Sequence, residues 1–368
     1  MHRKIARFAA TRLPVMVKSA LAGLAPALYP LISMRATSCT LIITNRCNLR
    51  CVMCRQWREE AKEELSTVRW KAIIDDLHDN GIRNIHFTGG EPLLRSDLPE
   101  LIAYCAARGI TTGMTTNGIL LDRAVLTKLA DSGLASVVVS IDAVGEAYDK
   151  IRGVARVFDK VKRSAGLIAG MKKSRGMDAS INFTLMKDTI KEFEPLKSFA
   201  DELGLSVSIC LLDDSPALFK VETNKDEHWI AGEEDMNELK KLLGRLRRYK
   251  AGRNGSILIN FEGIEYIGRY FNDPLQKKIP CAISQERIIL DPYGNLFGGC
   301  MSMGTYGNVA EAGVRKLTGD PKYRAAQRNM FYKRCPGCSC GYMFNIRSSP
   351  VHALKNIAAA MKYAVTGA

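Results

Sequence analysis

Between residues 38 and 250, short apolar runs alternate with longer segments in which apolar residues recur every three or four positions. The runs predict buried strands, and the longer segments predict amphipathic helices. The predicted strands cover residues 40–43, 84–87, 110–115, 135–141, 179–185 and 206–211. The first predicted helix begins after Ser66, and the other predicted helices cover residues 98–107, 121–132, 157–172, 190–203 and 233–250.

Six strands, each followed by a helix, imply right-handed crossovers and a parallel sheet. Because six units are too few to close an eight-stranded barrel, we expect an α/β fold with a partial (β/α)6 TIM-like barrel. After Gly252 the elements become shorter, which predicts a small C-terminal α+β domain. The predicted division is an N-terminal arm at 1–36, the barrel at 37–250, the small domain at 251–345 and a C-terminal helix at 346–368.

The formal net charge of +15 is concentrated at the two ends of the sequence. Residues 1–36 contain six basic and no acidic residues, and residues 346–368 contain three basic and no acidic residues. Because the region between them is only mildly basic, we expect no nucleic-acid partner. Prolines and Lys18 interrupt the apolar N-terminal stretch and disfavour a spanning helix. Both ends are therefore predicted to cover one end of the barrel or, alternatively, to contact a membrane surface or aid solubility.

Three cysteines, Cys47, Cys51 and Cys54, follow the first predicted strand within eight residues. Three thiolates at this spacing can hold a four-iron cubane and leave one iron open for a ligand. The alternatives are a zinc knuckle and a ferredoxin-like cluster, but no His or Cys lies between Cys54 and His78 to complete a local four-ligand site. The spacing of three and then two residues resembles that of the radical SAM superfamily.

That resemblance implies a 4Fe–4S cluster that binds S-adenosylmethionine (SAM) and cleaves it reductively to a 5′-deoxyadenosyl radical, which abstracts hydrogen from a substrate. In similar enzymes the Gly-Gly-Glu turn after the second strand binds the methionyl ammonium, and an arginine after the fourth strand pairs with the carboxylate. Met53 stands where the family usually has an aromatic residue near the adenine. The implied cofactor-binding residues are Met53, Gly89, Gly90, Glu91, Thr116, Asn117, Ser140, Asp142, Arg152 and Asn182. For Asp142 and Asn182, a structural cap or turn is an equal alternative.

A second group of cysteines lies beyond the barrel, around residues 287–296, which are predicted to form a strand, a tight turn and a strand. The group resembles the twitch domain, a shortened SPASM domain, and implies one auxiliary 4Fe–4S cluster. The implied ligands are Cys281, Cys300, Cys335 and Cys338, with Cys340 as a substitute. A structural zinc site with the same thiolates is the alternative. The remaining cysteines, Cys39, Cys105 and Cys210, lie in apolar contexts and are predicted to be small packing residues.

The resemblance therefore implies a radical SAM enzyme with two 4Fe–4S clusters and SAM as cofactors, and with a reductant such as flavodoxin or ferredoxin as partner. We expect a peptide or small-molecule substrate, with a lipid-linked compound as a further option because of the basic ends. The expected location is the cytoplasm, where cysteines stay reduced, or its face of the inner membrane. The competing function is an iron–sulfur electron carrier without SAM chemistry. Residues 89–92 disfavour it, because a carrier needs no ammonium-binding carboxylate.

Overall fold

The computed structural model of the 368-residue chain describes residues 35–54, 56–58, 62–213, 225–252, 256–273, 281, 283–301, 304–332 and 334–335. Most of the predicted N-terminal arm lies outside the described residues, as do Cys338, Cys340 and the predicted C-terminal helix. No helix in the described part of the chain is long and apolar enough to cross a membrane.

The described strands are β1 Ser38–Ile42, β2 Asn84–Thr88, β3 Thr111–Thr116, β4 Leu134–Ser140, β5 Asp178–Leu185, β6 Ser206–Leu211, β7 Arg287–Leu290, β8 Asn295–Phe297 and β9 Thr305–Asn308. The described α-helices are α1 Thr67–Asp79, α2 Leu98–Ala107, α3 Arg123–Asp131, α4 Glu146–Arg152, α5 Phe158–Arg175, α6 Phe193–Leu203, α7 Lys225–His228, α8 Gly232–Ala251, α9 Phe261–Tyr270, α10 Ile283–Glu286, α11 Val309–Ala312, α12 Val314–Gly319 and α13 Pro321–Phe331. Short 3-10 turns lie at Gln56–Arg58, Pro92–Leu94 and Lys187–Thr189.

These strands form one sheet in the order β6-β5-β4-β3-β2-β1-β7-β8-β9. Neighbours from β6 to β7 are parallel, whereas β8 runs antiparallel to β7 and β9. The strands β6 and β9 form the two edges, so the predicted open, partial barrel is confirmed. Strand β7 belongs to the predicted small C-terminal domain, yet it pairs with β1, placing Arg287 opposite Ser38. The antiparallel strands of that domain therefore continue the barrel sheet.

The two faces of the sheet differ in polarity. Along β1 to β6, every second residue is buried against the helices, and almost all of these buried residues are apolar, such as Phe87, Val139 and Phe183. The opposite, inner face carries Ser38, Thr40, Asn84, His86, Thr88, Thr115, Ser136, Ser140, Ser180, Asn182, Thr184, Ser206, Ser208 and Cys210, with Ile42 and Val138 as apolar exceptions. Closed barrels of this kind usually fill their interior with branched aliphatic side chains. The inner face here suits contact with water or a hydrophilic ligand.

The hydrophobic pattern predicts most strands and helices of the barrel to within a few residues, but it misses several helices of the chain, among them α4 and α9. Helix α4 is only seven residues long, which is too short for a clear helical period. Helix α9 contains Gly263 and Gly268, which have low helix propensity. Burial of Tyr266 and Ile267 in the core stabilises α9 despite those glycines.

Candidate cluster and cofactor site

The loop that carries Cys47, Cys51 and Cys54 follows β1 and is held from two sides. On one side, the backbone N–H groups of Gly90 and Glu91 donate to the carbonyls of Thr44 and Arg46, both at 2.8 Å. On the other side, the N–H of Arg50 donates to the carbonyl of Arg152 at 3.1 Å, and the N–H of Val52 donates to that of Ile151 at 2.9 Å. The turn after β2 and the end of α4 therefore position the cysteine loop through backbone contacts.

Two glycines permit these close contacts. A Cβ atom at Gly90 would lie 2.1 Å from the carbonyl oxygen of Arg46, and one at Gly153 would lie 2.3 Å from that of Arg50. Gly153 also has a φ of +66°, in the left-handed region that side chains disfavour. Gly89 lies equally close to the backbone of Thr44. In the structure, Gly89, Gly90 and Gly153 therefore all approach the backbone of the cysteine loop itself.

Glu91 lies fully buried beneath the loop and joins β2 to β3. One carboxylate oxygen accepts from the Thr116 hydroxyl at 2.8 Å and from the Leu93 N–H at 3.1 Å, and the other accepts from the Asn117 N–H at 2.7 Å. Burial raises the pKa of Glu91, while these hydrogen bonds and the nearby Arg152 oppose that rise. An ionised carboxylate has about four acceptor positions, so one remains beyond the three that the chain fills.

Arg152 forms a buried ion pair beneath Cys51. Its Nη2 lies 2.6 Å from Asp142 Oδ2 and donates to the Ser140 carbonyl at 2.9 Å, and its Nη1 donates to Cys51 Sγ at 3.5 Å. Burial opposes the charge of Arg152, but Asp142, Tyr148 and Cys51 raise the pKa of its guanidinium above the ordinary value. Asp142 is completely buried and also accepts from the Thr184 N–H at 2.7 Å, which links the ends of β4 and β5. Asp142 therefore has a structural role at this position.

Cys47 and Cys54 lie close enough to the other thiols of the loop for their own pKa values to be affected. Burial is the main cause that raises the pKa of Cys47, and it is also the main cause that raises the pKa of Cys54 to about 12. The neighbouring thiols also raise the pKa of each of these two cysteines. Among the described residues, no three His, Cys, Asp or Glu side chains converge as ligands of a single metal ion. The thiolates of a cubane bind different iron atoms, so they need not converge on one point.

Two buried polar atoms beside these thiols fit the presence of a bound group. The Tyr148 hydroxyl and Arg152 Nε have no hydrogen-bond partner among the described residues, although both are buried. Buried donors without partners are rare in folded proteins and need an explanation such as a bound ligand. Together with the grouped thiols and the unused acceptor position of Glu91, they fit a 4Fe–4S cluster with SAM bound to it.

Several residues that hold the site were not singled out from the sequence. Glu64 accepts from the Asn45 N–H at 2.7 Å and from the Thr44 hydroxyl at 2.9 Å, which fixes the start of the loop. Asn48, inside the cysteine motif, accepts from Asn117 Nδ2 at 2.7 Å. Glu64 lies in a polar stretch without periodic pattern, so no local signal marks it. Asn48 could have been suspected from its position between two predicted ligands.

The remaining predicted cofactor residues lie around the same end of the sheet. Ser140 and Asn182 are opposite each other on the inner faces of β4 and β5. Asn182 accepts from Cys210 Sγ at 3.0 Å, so Cys210 lies on the polar inner face at the end of β6. The prediction that Cys210 is a small packing residue is therefore wrong, because the even spacing of strand residues places it opposite the apolar row. Met53 is half-buried and packs against the core.

The other two isolated cysteines behave as predicted. Cys39 and Cys105 are buried in the hydrophobic core. Burial raises the pKa of Cys39 well above its ordinary value and that of Cys105 to about 12. Both side chains are therefore small packing residues of the core.

The second cysteine group is assembled from distant parts of the chain. The N–H of Cys281 donates to the carbonyl of Phe331 at 3.0 Å, which brings Cys281 to the end of α13, close in sequence to Cys335. Cys281 is buried, whereas Cys300 and Cys335 are half-buried. Cys300 and burial together raise the pKa of Tyr306. The fourth implied ligand, Cys338, lies outside the described residues, so a four-thiolate site stays a prediction.

Comparison with known proteins gives a family match for part of the chain. Residues 41–200 match the model of the Radical SAM superfamily. The chain is 47% identical over 114 residues to the Fe-coproporphyrin III synthase of Methanosarcina barkeri, covering 30% of this chain and 29% of that protein. It is 39% identical over 116 residues to the PqqA peptide cyclase of Bradyrhizobium diazoefficiens, covering 31% of this chain and 30% of that protein. The chain thus matches less than a third of the length of these relatives.

Solved structures share the fold over a longer part of the chain. SuiB of Streptococcus suis, solved with its precursor peptide SuiA, matches with a TM-score of 0.62 at 18% identity, covering 82% of this chain and 69% of that chain. The enzyme anSMEcpe, solved with AdoMet and a peptide, matches with a TM-score of 0.60 at 16% identity, covering 89% of this chain and 96% of that chain. At these identities the similarity shows a common fold.

Proposed function

We propose that this chain, a radical SAM superfamily enzyme, binds a 4Fe–4S cluster through Cys47, Cys51 and Cys54 and cleaves SAM reductively. Held by these three thiolates, the group would supply one-electron reductive chemistry that breaks the C5′–sulfur bond of SAM, releases methionine and leaves a 5′-deoxyadenosyl radical able to abstract hydrogen from a substrate. The observation that supports this proposal most strongly is that Glu91 and Arg152, which follow different strands, both lie against the same cysteine loop.

The chain's own residues would orient SAM at this loop. The remaining acceptor position of Glu91 is proposed to bind the methionyl ammonium, because an ionised carboxylate only accepts hydrogen bonds. Arg152 Nε, which has no partner among the described residues, is proposed to donate to the methionyl carboxylate. The Asp142 carboxylate would hold the guanidinium in that orientation. Met53, Asn117, Ser140 and Asn182 remain proposed contacts to the cofactor.

A peptide is the substrate class that we propose. A relative that is 39% identical over 116 residues is named a PqqA peptide cyclase. Serine, threonine and asparagine side chains on the inner face of β4, β5 and β6 offer hydrogen bonds to peptide groups, and their polarity disfavours an acyl chain inside the barrel. A small molecule is the second candidate, because another relative is named an Fe-coproporphyrin III synthase.

The C-terminal cysteines are proposed to hold one auxiliary 4Fe–4S cluster through Cys281, Cys300, Cys335 and Cys338. The Cys281 N–H donates to the carbonyl of Phe331, the last residue of α13, and Cys335 follows that residue by four positions, which supports a shared site. A reductant such as flavodoxin or ferredoxin would supply the electron for SAM cleavage. A structural zinc ion on the same thiolates remains the alternative to the auxiliary cluster.

Anaerobic reconstitution with iron and sulfide, followed by dithionite, SAM and an assay for 5′-deoxyadenosine, tests the proposal. We expect about eight irons per chain and formation of 5′-deoxyadenosine. Replacing Cys47, Cys51 and Cys54 together by Ala should remove about four irons and all 5′-deoxyadenosine. The matched control is Cys105→Ala, which removes a buried thiol away from the site and should keep the full iron content. Iron binding without any SAM cleavage by the wild-type chain would favour an electron carrier.

A further inference from the structure

A cavity of about 850 Å³ lies at the end of the barrel opposite the cysteine loop. Arg35 and Ala36, which precede β1, and Ile82, which precedes β2, form part of its wall. Because parallel strands all begin at the same end of the sheet, these residues mark the amino end, whereas Glu91 and Arg152 follow the carboxyl ends of their strands. Helices α12 and α13 complete the wall. The cavity is therefore separate from the candidate cofactor site.

The wall of this cavity is strongly basic. It contains five arginines, Arg35, Arg315, Arg324, Arg328 and Arg334, and no Asp or Glu. None of the five has a salt bridge with a carboxylate among the described residues. The carboxylates nearby serve other groups: Asp320 caps α13 by accepting from the Lys322 N–H at 2.7 Å, and Asp76 accepts from the Val314 N–H at 2.6 Å.

The spacing of these arginines makes their charges repel one another. Arg324 and Arg328 are four residues apart on α13, so their side chains lie on the same face of the helix. Like charges at this spacing slightly destabilise a helix. A bound anion would convert this repulsion into attraction.

We propose that this cavity binds the phosphate groups of anionic lipid headgroups. Guanidinium groups hold phosphate oxygens in a bidentate manner, and Arg is preferred over Lys where planar recognition of phosphate is needed. The volume is within the range of known small-ligand sites. A carboxylate-bearing ligand would find the same charges, but the sequence next to the cavity favours a lipid surface.

Both basic ends of the chain join the described structure at this cavity. Residues 1–34, whose apolar stretch is flanked and interrupted by basic residues, connect directly to Arg35, and the chain continues beyond Arg334 toward the basic residues 346–368. Neither end contains an acidic residue. Segments that combine apolar and basic residues are typical of attachment to anionic membranes. A cavity at the amino end of the strands that faced the lipid would orient the carboxyl end, with the candidate active site, away from it.

Vesicle flotation of the purified full-length chain tests this site without reference to SAM cleavage. We expect binding to vesicles of phosphatidylglycerol and phosphatidylcholine, little binding to pure phosphatidylcholine, and loss of binding at high salt. The triple variant R315Q/R324Q/R328Q should bind at least about tenfold more weakly, because each basic residue near the surface contributes to attraction. The control variant K162Q/R163Q/K173Q removes the same charge from exposed positions on α5 and should bind like wild type.

Three outcomes would overturn the proposal. Equal loss of binding in both triple variants would mean that net charge alone attracts the protein. Unchanged binding of R315Q/R324Q/R328Q would assign attachment to the basic ends without the cavity. Thermal stabilisation by millimolar inorganic phosphate that requires the three arginines, in a protein that does not bind vesicles, would identify a soluble phosphate ligand. The radical chemistry can fail or succeed independently of each outcome.

Discussion

The two groups of cysteines are built in different ways. Cys47, Cys51 and Cys54 lie in one short loop, whose backbone is bonded to the turn after β2 and to the end of α4. The second group extends from Cys281 to Cys335, and the described contact within it is the hydrogen bond from the Cys281 N–H to the last residue of α13. Neighbouring elements hold the backbone of the first group, whereas any site formed by the second group depends on contacts between distant segments.

This difference leads us to expect that backbone contacts order the first group, whereas the second group gains more of its order from the metal that we propose it binds. Structural metal sites often supply folding free energy that the chain lacks without them. Substitutions around the first loop should therefore affect both stability and SAM cleavage. Substitutions in the second group should separate the two properties.

The largest effect is expected for Cys51→Ala. This change removes a proposed cluster ligand and the sulfur that Arg152 contacts at 3.5 Å. Production of 5′-deoxyadenosine after anaerobic reconstitution should become undetectable, and iron content should fall by about four per chain. Cys39→Ala is the control, since Cys39 is a core residue on the same polypeptide segment. Retention of SAM cleavage by Cys51→Ala would remove the first group from the proposed mechanism.

Asp142→Asn should cause the largest loss of stability. The change leaves the buried charge of Arg152 without its partner at 2.6 Å, and breaking a buried pair in this way costs about 3–5 kcal/mol. Urea unfolding measures the change in the free energy of unfolding. Asp131→Asn breaks an exposed pair with Arg175 and should cost at most about 1 kcal/mol. Similar costs for the two variants would mean that Arg152 is not held by Asp142.

Gly90→Ala should have an intermediate effect. Its Cβ would lie 2.1 Å from the Arg46 carbonyl oxygen, so the loop must move, at a cost of about 1–3 kcal/mol. We also expect weaker iron retention during gel filtration, because the displaced loop carries the thiols. Gly166→Ala, in α5 with open space around it, should instead stabilise the protein by about 0.5–1 kcal/mol. Full iron retention by Gly90→Ala would argue against positioning of the loop by the turn after β2.

The smallest effect on SAM cleavage is expected for Cys300→Ala. If the second group holds a separate cluster, iron content should fall by about four per chain while 5′-deoxyadenosine still forms without substrate. Hydrogen exchange should become faster in α13, which packs near Cys281, and stay unchanged in α1. Loss of SAM cleavage together with the iron would show that the two groups are not independent, and the comparison between them would fail.

The chemistry of the first group could be predicted because its signals are local. The cysteine spacing, the turn at residues 89–92 and the order of strands and helices all lie within short windows of sequence. The structure adds partners that no window contains. Asp142 could be named as a candidate, but its pairing with Arg152 depends on where α4 packs against β4.

Cys210 shows why a wrong prediction arose at a strand. Its neighbours Ile209 and Leu211 are apolar, and a local average of hydrophobicity assigns the whole segment to the core. Side chains alternate along a strand, however, so Cys210 shares the inner face with Ser206 and Ser208. The alternation of polar and apolar residues along this strand is visible in the sequence, and it places Cys210 on the polar face.

The sequence by itself determined the strand and helix order, the ligand spacing of the first cysteine loop and the alternation of polar and apolar residues, because these are periodic or short-range properties of the chain. Tertiary structure alone decided that Arg152 contacts Cys51, that Gly90 approaches Arg46, and that β7 extends the barrel sheet. It also placed Arg35 beside Arg324 and Arg328 in one cavity. Residues so distant in sequence meet only through strand order and helix packing, which short stretches of sequence do not encode.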